Sequence, residues 1–280
     1  EDRYCSRPVI HVGEGEGGGT GTGGGGSPSP SPVASFFGVW DGTVCPHASD
    51  YVHTRCADHH LASQGFSDYA APPPAELARC LADACRQGYA ATDADLLASC
   101  AALQNNFTSS TSVSVLIASG ILTVAHLGDS RAILLVNQNG ELRGQVLTVD
   151  HKPDDAEERA RIEASGGSIQ YLHHHNMKPF IRGGDFERRK AGGERMVQLQ
   201  YSRAFGGKDL KPFGLSAEPS IGQHLLGAEH VGLVLASDGV CDIATGDDIA
   251  AVVGEAWERG EDASDALTSW ALEERARCNV

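Results

Sequence analysis

Residues 112–149 read SVSVLIASGILTVAHLGDSRAILLVNQNGELRGQVLTV, and this stretch decides the class of fold. Three runs rich in Val, Ile and Leu are separated by Gly128-Asp-Ser-Arg131 and by Asn139-Gly140. Asn-Gly between two apolar runs is a strong hairpin signal, because both residues tolerate the positive φ angles of a type I′ turn. We therefore predict a β-meander, with runs at 113–127, 132–136 and 142–149.

Helical patterns lie on both sides of this β region. Leucine and alanine recur at helical spacing within Ala75–Cys100, where Thr92 can cap a second helix that begins near Asp93, so we predict a helical hairpin there. The other predicted helices are 154–164, 247–257 and 263–276, and the other predicted strands are 9–12, 34–40 and 231–236. Because the strands cluster instead of alternating with helices, the sequence predicts an antiparallel α+β fold, in a single domain over residues 1–280.

Composition excludes several classes of function. The chain has 37 Asp and Glu against 22 Lys and Arg, a net charge of −15, which disfavours binding to nucleic acid because its phosphates would be repelled. The longest mainly apolar stretch, Val113–Ala125, is shorter than the ~20 residues that cross a bilayer, so we predict no membrane span. The eight cysteines form no CxxC pair. We therefore expect reduced thiols and a cytoplasmic or nuclear location. We also expect a monomer.

Two segments lack the apolar residues of a core element. Ten of the twenty residues in Gly13–Pro32 are Gly, which predicts a flexible insertion, and the GxGxxG match inside it is interpreted as low complexity because no helix pattern follows. The stretch His173–Gly193 is polar and basic, which predicts a mobile flap within a flap-like segment at 165–200. We interpret His173-His-His175 as part of that solvated loop and not as a metal site.

Three apolar runs end in an aspartate beside a small residue: Asp41 before Gly42, Asp129 before Ser130, and Asp238 before Gly239. Several carboxylates brought together at strand ends would repel one another unless hard cations lay between them. Ligation by oxygen alone suits Mg²⁺ or Mn²⁺ better than Zn²⁺. A single Asp-Gly is also a common turn dipeptide, but three such strand ends indicate a candidate metal site.

These strand ends belong to a longer ordered set of motifs. The set is Glu1-Asp2-Arg3, Phe36–Gly42, Ser109–Ser114, Gly128–Arg131, Leu147–Pro153, Arg161–Gly167, Ser202–Gly206, Glu218-Pro219, and Leu235–Gly239 with Asp242. In content and order it resembles the PPM family of metal-dependent protein phosphatases, the type 2C serine/threonine class. The resemblance implies a four-layer α-β-β-α sandwich, in which two central antiparallel sheets are flanked by helix pairs and a cleft at one edge holds two metal ions.

The resemblance also implies the roles of individual residues. The implied metal ligands are Glu1, Asp41, the carbonyl of Gly42, and Asp238, with Asp129 for a weaker third ion. The implied cofactors are Mg²⁺ or Mn²⁺, and Asp2 is the implied catalytic residue that orients a metal-bound water. Coordination would lower the pKa of that water, and the resulting hydroxide would attack the phosphorus of a phosphoserine or phosphothreonine in a phosphoprotein substrate.

Three positions depart from the family's pattern. Thr43 stands where the family has a histidine credited with protonating the leaving oxygen, Cys278 where it has a metal-ligand aspartate, and Gly207 where it has another aspartate. A hydroxyl does not titrate near neutrality, and a thiol is a poor ligand for Mg²⁺. His47 and Asp209 are candidates to replace the missing groups. Two functions therefore stay open: an active phosphatase, or a catalytically weak or inactive pseudophosphatase that serves as a binding or scaffold module.

Overall fold

Thirteen strands and eight helices are formed within residues 2–11, 33–69, 76–172 and 177–278, the ranges that a computed structural model describes. The strands are β1 (Arg3–His11), β2 (Val33–Trp40), β3 (Gly42–Thr43), β4 (Ser109–Ser110), β5 (Ser112–Ala118), β6 (Ile121–Leu127), β7 (Arg131–Gln138), β8 (Glu141–Val146), β9 (Ser168–Leu172), β10 (Lys178–Arg182), β11 (Phe205–Gly206), β12 (Ser220–Leu225) and β13 (His230–Ala236). The helices are α1 (His47–Leu61), α2 (Gln64–Tyr69), α3 (Leu77–Ala102), α4 (Ala156–Ala164), α5 (Phe186–Ala191), α6 (Asp238–Cys241), α7 (Gly246–Arg259) and α8 (Ala263–Cys278). None of the helices in these ranges is both long and apolar enough to span a bilayer.

Two antiparallel sheets form the centre of the fold. The larger has the strand order β1-β2-β5-β6-β12, and the smaller has the order β13-β7-β8. A short sheet of order β11-β4-β3 and the hairpin of β9 with β10 complete the described strands. Every pairing between these strands is antiparallel, which confirms the predicted α+β class.

The predicted meander is present with one additional turn. Asn139 and Gly140 have φ angles of +56° and +92°, as the predicted type I′ turn between β7 and β8 requires. The run predicted at 113–127 was wrong as a single element, because the chain reverses at Ser119-Gly120 and forms β5 and β6. Apolar residues stand before Ser119 and after Gly120, so the sequence marks this turn by these two residues only.

Successive side chains along a strand point to opposite faces of its sheet, so each sheet has a different set of apolar residues on each face. The residues packed between the two sheets are Val113, Val115, Leu122 and Val124 from the larger sheet and Ala132, Leu134 and Val136 from the smaller. The alternate residues of β5 and β6, among them Leu116 and Leu127, share a buried cluster with α1 and α3. On the other side of β7, Ile133 and Leu135 pack with α7 and α8. Helices therefore cover the outward face of each sheet.

The local structure of two predicted segments differs in detail from the sequence analysis. The predicted hairpin within Ala75–Cys100 is the single helix α3, because the Thr92 hydroxyl donates back to the Gly88 carbonyl (2.7 Å) and does not cap a new helix. The predicted flap contains the hairpin of β9 and β10 and the helix α5. These elements were not predicted because the segment is polar and has little apolar periodicity. The predicted insertion Gly13–Pro32 and the His173-His-His175 interpretation lie outside the described residues.

Helix α1, which the sequence analysis did not predict, buries a histidine. His60 is fully buried, and its Nδ1–H donates to the Cys56 carbonyl (2.7 Å), so the neutral ring leaves Nε2 without a hydrogen bond. Burial lowers the pKa of His60 to about 4. The unfolded chain therefore takes up a proton near pH 6.5 that the folded chain takes up only near pH 4.

This difference makes stability fall as the pH drops below 6.5. We expect His60 to remove about 2 kcal/mol of the free energy of unfolding between pH 7.5 and pH 5. Urea unfolding of the wild type and of His60→Leu at both pH values measures this contribution as the difference between their pH slopes. Equal slopes would contradict the assignment of a neutral buried His60.

Candidate metal centre

Asp41 lies where the chain leaves β2 and enters β3. Trp40, just before it, is fully buried and anchors the end of β2 in the core. The Asp41 carbonyl accepts a hydrogen bond from the Thr111 amide (3.0 Å), and the Asp41 amide donates to Thr111 Oγ1 (3.4 Å). Gly42 then pairs with Ser110 of β4. The backbone is therefore fixed on both sides of the Asp41 side chain.

Asp129 lies in the tight turn between β6 and β7. Gly128, before it, has a φ of +87°, and a Cβ there would lie 2.8 Å from a Thr111 methyl carbon, so only glycine fits. The Gly128 amide donates to His151 Nδ1 (3.1 Å), which assigns the ring proton to Nε2 facing Ser220 Oγ (2.8 Å). Burial lowers the pKa of His151 to about 3, so the neutral ring holds this turn.

Asp238 follows β13 and opens α6, where it meets the N-terminal end of the described chain. Ser237 donates from Oγ to Oδ2 of Asp2 (2.7 Å), although the two residues are 235 positions apart. Arg275 of α8 donates to the Asp238 carbonyl (3.1 Å). Two distant parts of the chain therefore contribute carboxyls to the same place.

Four carboxyls lie close enough to affect one another's protonation. Burial, and next the Asp2 carboxyl, raise the pKa of Asp41 to about 8, and the charges of Asp238 and Asp129 act in the same direction. Burial and the charge of Asp129 raise the pKa of Asp238. Burial also raises the pKa of Asp129, against the opposing charge of Lys152. The structure therefore brings together the four predicted acidic residues that it describes.

The chemistry of these donors fits hard divalent ions. The side chains offer only oxygen, the donor that Mg²⁺ and Mn²⁺ prefer. Among the side chains that the structure describes, no group of three or more His, Cys, Asp or Glu residues is placed so that it could hold a metal ion. Glu1 lies outside the described residues, and Cys278 is described only through its backbone at the end of α8.

Comparison with known proteins assigns the family. The protein phosphatase 2C family profile matches residues 20–280. The crystal structure of a serine-threonine phosphatase 2C from Toxoplasma gondii is 39% identical, with a TM-score of 0.84 over 90% of this chain and 82% of that chain. This chain belongs to the protein phosphatase 2C family.

Two relatives within the protein phosphatase 2C family come from plants. "Probable protein phosphatase 2C member 13, mitochondrial" of Oryza sativa subsp. japonica is 35% identical over 212 residues, which are 75% of this chain and 48% of that protein. "Probable protein phosphatase 2C 71" of Arabidopsis thaliana is 30% identical over 250 residues, which are 89% of this chain and 47% of that protein. The chain therefore spans about half the length of these two relatives.

One cation beside the phosphatase 2C carboxyls was missed by the sequence analysis. Lys152 Nζ donates to Asp129 Oδ2 (2.6 Å) and lies 3.5 Å from Asp150. Arg131 holds the Asp150 carboxylate through two hydrogen bonds (2.7 and 2.8 Å). The available signal was the motif Leu147–Pro153, which contains both Asp150 and Lys152.

The departures from the phosphatase 2C pattern have defined surroundings. Thr43 Oγ1 accepts a hydrogen bond from the Tyr201 hydroxyl (2.7 Å). His47, the candidate replacement for the family's histidine, has its ring Nε2 3.3 Å from Ser99 Oγ on α3. Gly207 has a φ of +59°, in the left-handed region that disfavours an aspartate side chain.

A cavity of about 570 Å³ adjoins the carboxyls between β13 and α8. Asp2 and Ser237 line its edge, and the rest of its lining is mainly apolar, with Leu235 and Leu267 as examples. An apolar wall cannot offset the charge of a phosphate dianion. The mainly apolar lining therefore makes this cavity a poor site for phosphate.

Proposed function

We propose that this chain is a metal-dependent protein phosphatase that hydrolyses phosphoserine and phosphothreonine in phosphoprotein substrates. The observation that carries the proposal is the convergence of acidic side chains from separate parts of a phosphatase 2C fold. The proposed cofactors are two Mg²⁺ or Mn²⁺ ions, with a weaker third. The proposed donors are Glu1, Asp41, the carbonyl of Gly42, Asp238 and, for the third ion, Asp129.

The chain's own residues orient the reacting groups. When bound, the ions supply an activated water and positive charge that offsets the developing charge on the phosphoryl group. Asp2 accepts a hydrogen bond from Ser237 at Oδ2, and it is the residue proposed to orient the attacking water. Lys152 offsets the charge of Asp129 beside the site.

A pseudophosphatase is the second candidate function. Thr43 and Cys278 replace groups that the family uses for proton transfer and metal binding, and Lys152 occupies Asp129 Oδ2. Each of these features weakens the proposed chemistry without disturbing the fold. In this alternative the same domain binds a phosphoprotein without hydrolysing it.

Release of phosphate separates the two candidates. Purified protein with Mn²⁺ is incubated with a phosphothreonine peptide, with an EDTA-treated sample as control. Release that needs Mn²⁺ supports the enzyme. Binding of the peptide without release supports the pseudophosphatase, and neither binding nor release would contradict both.

We expect Cys278→Asp to tighten Mn²⁺ binding at least roughly tenfold, since even supporting groups of metal sites change affinity on that scale. The added carboxylate supplies an oxygen ligand and a negative charge where a thiol stands. Isothermal titration calorimetry measures the affinity, and Cys278→Asn is the matched control without the charge. Equal affinities for wild type and Cys278→Asp would show that this position is not a ligand.

We also propose the cellular location and the oligomeric state of the protein. The seven cysteines whose side chains the structure describes are free thiols, which is typical of a reducing compartment. We therefore propose a cytoplasmic or nuclear location. We further propose that residues 1–280 form one domain that acts as a monomer.

A further inference from the structure

Thr43 belongs to a short chain of hydroxyl groups beside the carboxyl cluster. Thr43 on β3 pairs with Ser109 on β4, and Tyr201 lies against both side chains. The Tyr201 hydroxyl donates to Thr43 Oγ1 at 2.7 Å and lies 3.1 Å from Ser109 Oγ. Ser109 is fully buried and Tyr201 is 5% exposed, so both hydroxyls are held without help from bulk water.

The direction of each hydrogen bond follows from the number of protons available. A phenol has one proton, and that of Tyr201 points to Thr43, so Ser109 is the donor to Tyr201. Burial raises the pKa of Tyr201, which therefore keeps its proton near neutral pH. Thr43 Oγ1 accepts from Tyr201, so its own proton points to a different acceptor.

The position of Thr43 in the chain places it beside the carboxyl cluster. Thr43 is two residues after Asp41, so the two side chains leave the chain in similar directions if the backbone stays extended. The Tyr201 hydroxyl also feels the charges of Asp129 and Asp41, which places it near the same cluster. A phosphoryl group bound at these carboxyls would meet the free proton of Thr43.

We propose that Thr43 donates a hydrogen bond to the leaving oxygen of the phosphoester, and that Tyr201 and Ser109 are positioning residues that fix the direction of this bond. The inference rests on the proposed function. Thr43 keeps its proton throughout, since an aliphatic hydroxyl is a very weak acid.

The reaction balances without proton transfer from Thr43. The oxygen of water forms a bond to phosphorus, the bond from phosphorus to the leaving oxygen breaks, and the leaving oxygen takes its proton from water. A hydrogen bond from Thr43 stabilises the negative charge that develops on that oxygen. This hydrogen bond therefore increases the rate more for a poor leaving group, which develops more negative charge, than for a good one.

Leaving-group dependence tests the proposal. Phenyl phosphate has a poor leaving group and p-nitrophenyl phosphate a good one, and both are assayed with Mn²⁺. We expect Thr43→Val to lower kcat on phenyl phosphate ~10-fold and on p-nitrophenyl phosphate less than ~3-fold, since one hydrogen bond is worth about a factor of ten. KM should not change, and Thr43→Ser should restore the rate because it keeps the hydroxyl.

Tyr201→Phe tests the positioning role, with Tyr171→Phe as the control at a surface tyrosine. We expect Tyr201→Phe to lower kcat on phenyl phosphate selectively, and to have no further effect when Thr43 is already Val. Ser109→Ala should give a smaller change of the same kind. If thermal unfolding shows that Tyr201→Phe does not fold, Ser109→Ala replaces it as the test of the positioning role.

Several outcomes would overturn the proposal. If Tyr201→Phe lowers kcat equally on the two substrates, Tyr201 has a structural role only. The same conclusion follows if Tyr201→Phe lowers kcat further when Thr43 is already Val. An unchanged rate in Thr43→Val would remove Thr43 from the reaction while leaving the proposed phosphatase intact. A wild-type chain without Mn²⁺-dependent hydrolysis of either substrate would overturn both proposals.

Discussion

Asp41→Asn is expected to abolish Mn²⁺-dependent release of phosphate from a phosphothreonine peptide, with a loss of roughly 10³-fold or more. The reason is that Asp41 is a proposed ligand of the ions, whose stabilisation of the transition state is worth several kcal/mol. The substitution changes one oxygen to nitrogen and keeps the shape of the side chain. Because it removes one of four crowded carboxyls, the thermal midpoint in EDTA should be unchanged or higher.

Asp68→Asn is the matched control for this experiment. Asp68 is exposed on α2 and forms a hydrogen bond only with Gln64 among the partners described, so its loss should leave the rate unchanged. A wild-type rate in Asp41→Asn would remove Asp41 from the metal site. A loss of rate accompanied by a lower thermal midpoint in EDTA would instead indicate damage to the fold.

Glu158→Ala is expected to destabilise the fold by ~3 kcal/mol at pH 7, the lower end of the cost of leaving a buried charge unpaired. Glu158 on α4 is 4% exposed. Its carboxylate accepts two hydrogen bonds from Arg161 (2.9 and 2.6 Å), two from Arg203 (3.0 and 2.6 Å) and one from the Ser202 hydroxyl. Removing it leaves two guanidinium groups facing each other.

The hydrogen bonds to Glu158 also predict how the free energy of unfolding depends on pH. Burial alone would raise the pKa of Glu158, but hydrogen bonds from Arg161 and Arg203 hold it well below its ordinary value. The contribution is therefore fully present above the pKa of about 4.3 in the unfolded chain, and it is lost progressively as the pH falls from there toward the much lower pKa of the folded chain. Urea unfolding at pH 7 and pH 4 measures the effect in wild type and variant.

Glu163→Ala on the same helix is the control. Glu163 is exposed and forms one ion pair with Arg159 at 3.5 Å, so its loss should cost less than ~1 kcal/mol. If the two variants lose similar free energies of unfolding, the buried network contributes no more than a surface ion pair, and the account of Glu158 is wrong.

Sequence reasoning succeeded where local chemistry decides the structure. The turn at Asn139-Gly140 needs two residues that tolerate positive φ, and those residues can be recognised in the sequence. The strand ends at Asp41 and Asp238 are visible because an apolar run stops at an aspartate followed by glycine. These features depend on neighbours in the chain and not on distant contacts.

Sequence reasoning failed where a distant partner decides the structure. Thr92 has the chemistry of a helix cap, but it lies inside one continuous helix that packs against distant residues of the larger sheet. The pairing of Lys152 with Asp129 joins residues that only the turn at Gly128 brings together. The hydroxyl chain through Tyr201 joins residues 158 positions apart, and no spacing in the sequence indicates it.

Crystals grown with Mn²⁺ and measured at the manganese absorption edge test the central claim most directly. We expect two anomalous peaks that share Asp41 as a ligand, one of them also bound by Asp238, at carboxylate-to-metal distances of about 2.0–2.2 Å, close to those of other small divalent ions. Peaks that avoid both carboxyls, or no peak in protein that binds Mn²⁺ in solution, would contradict the proposed centre.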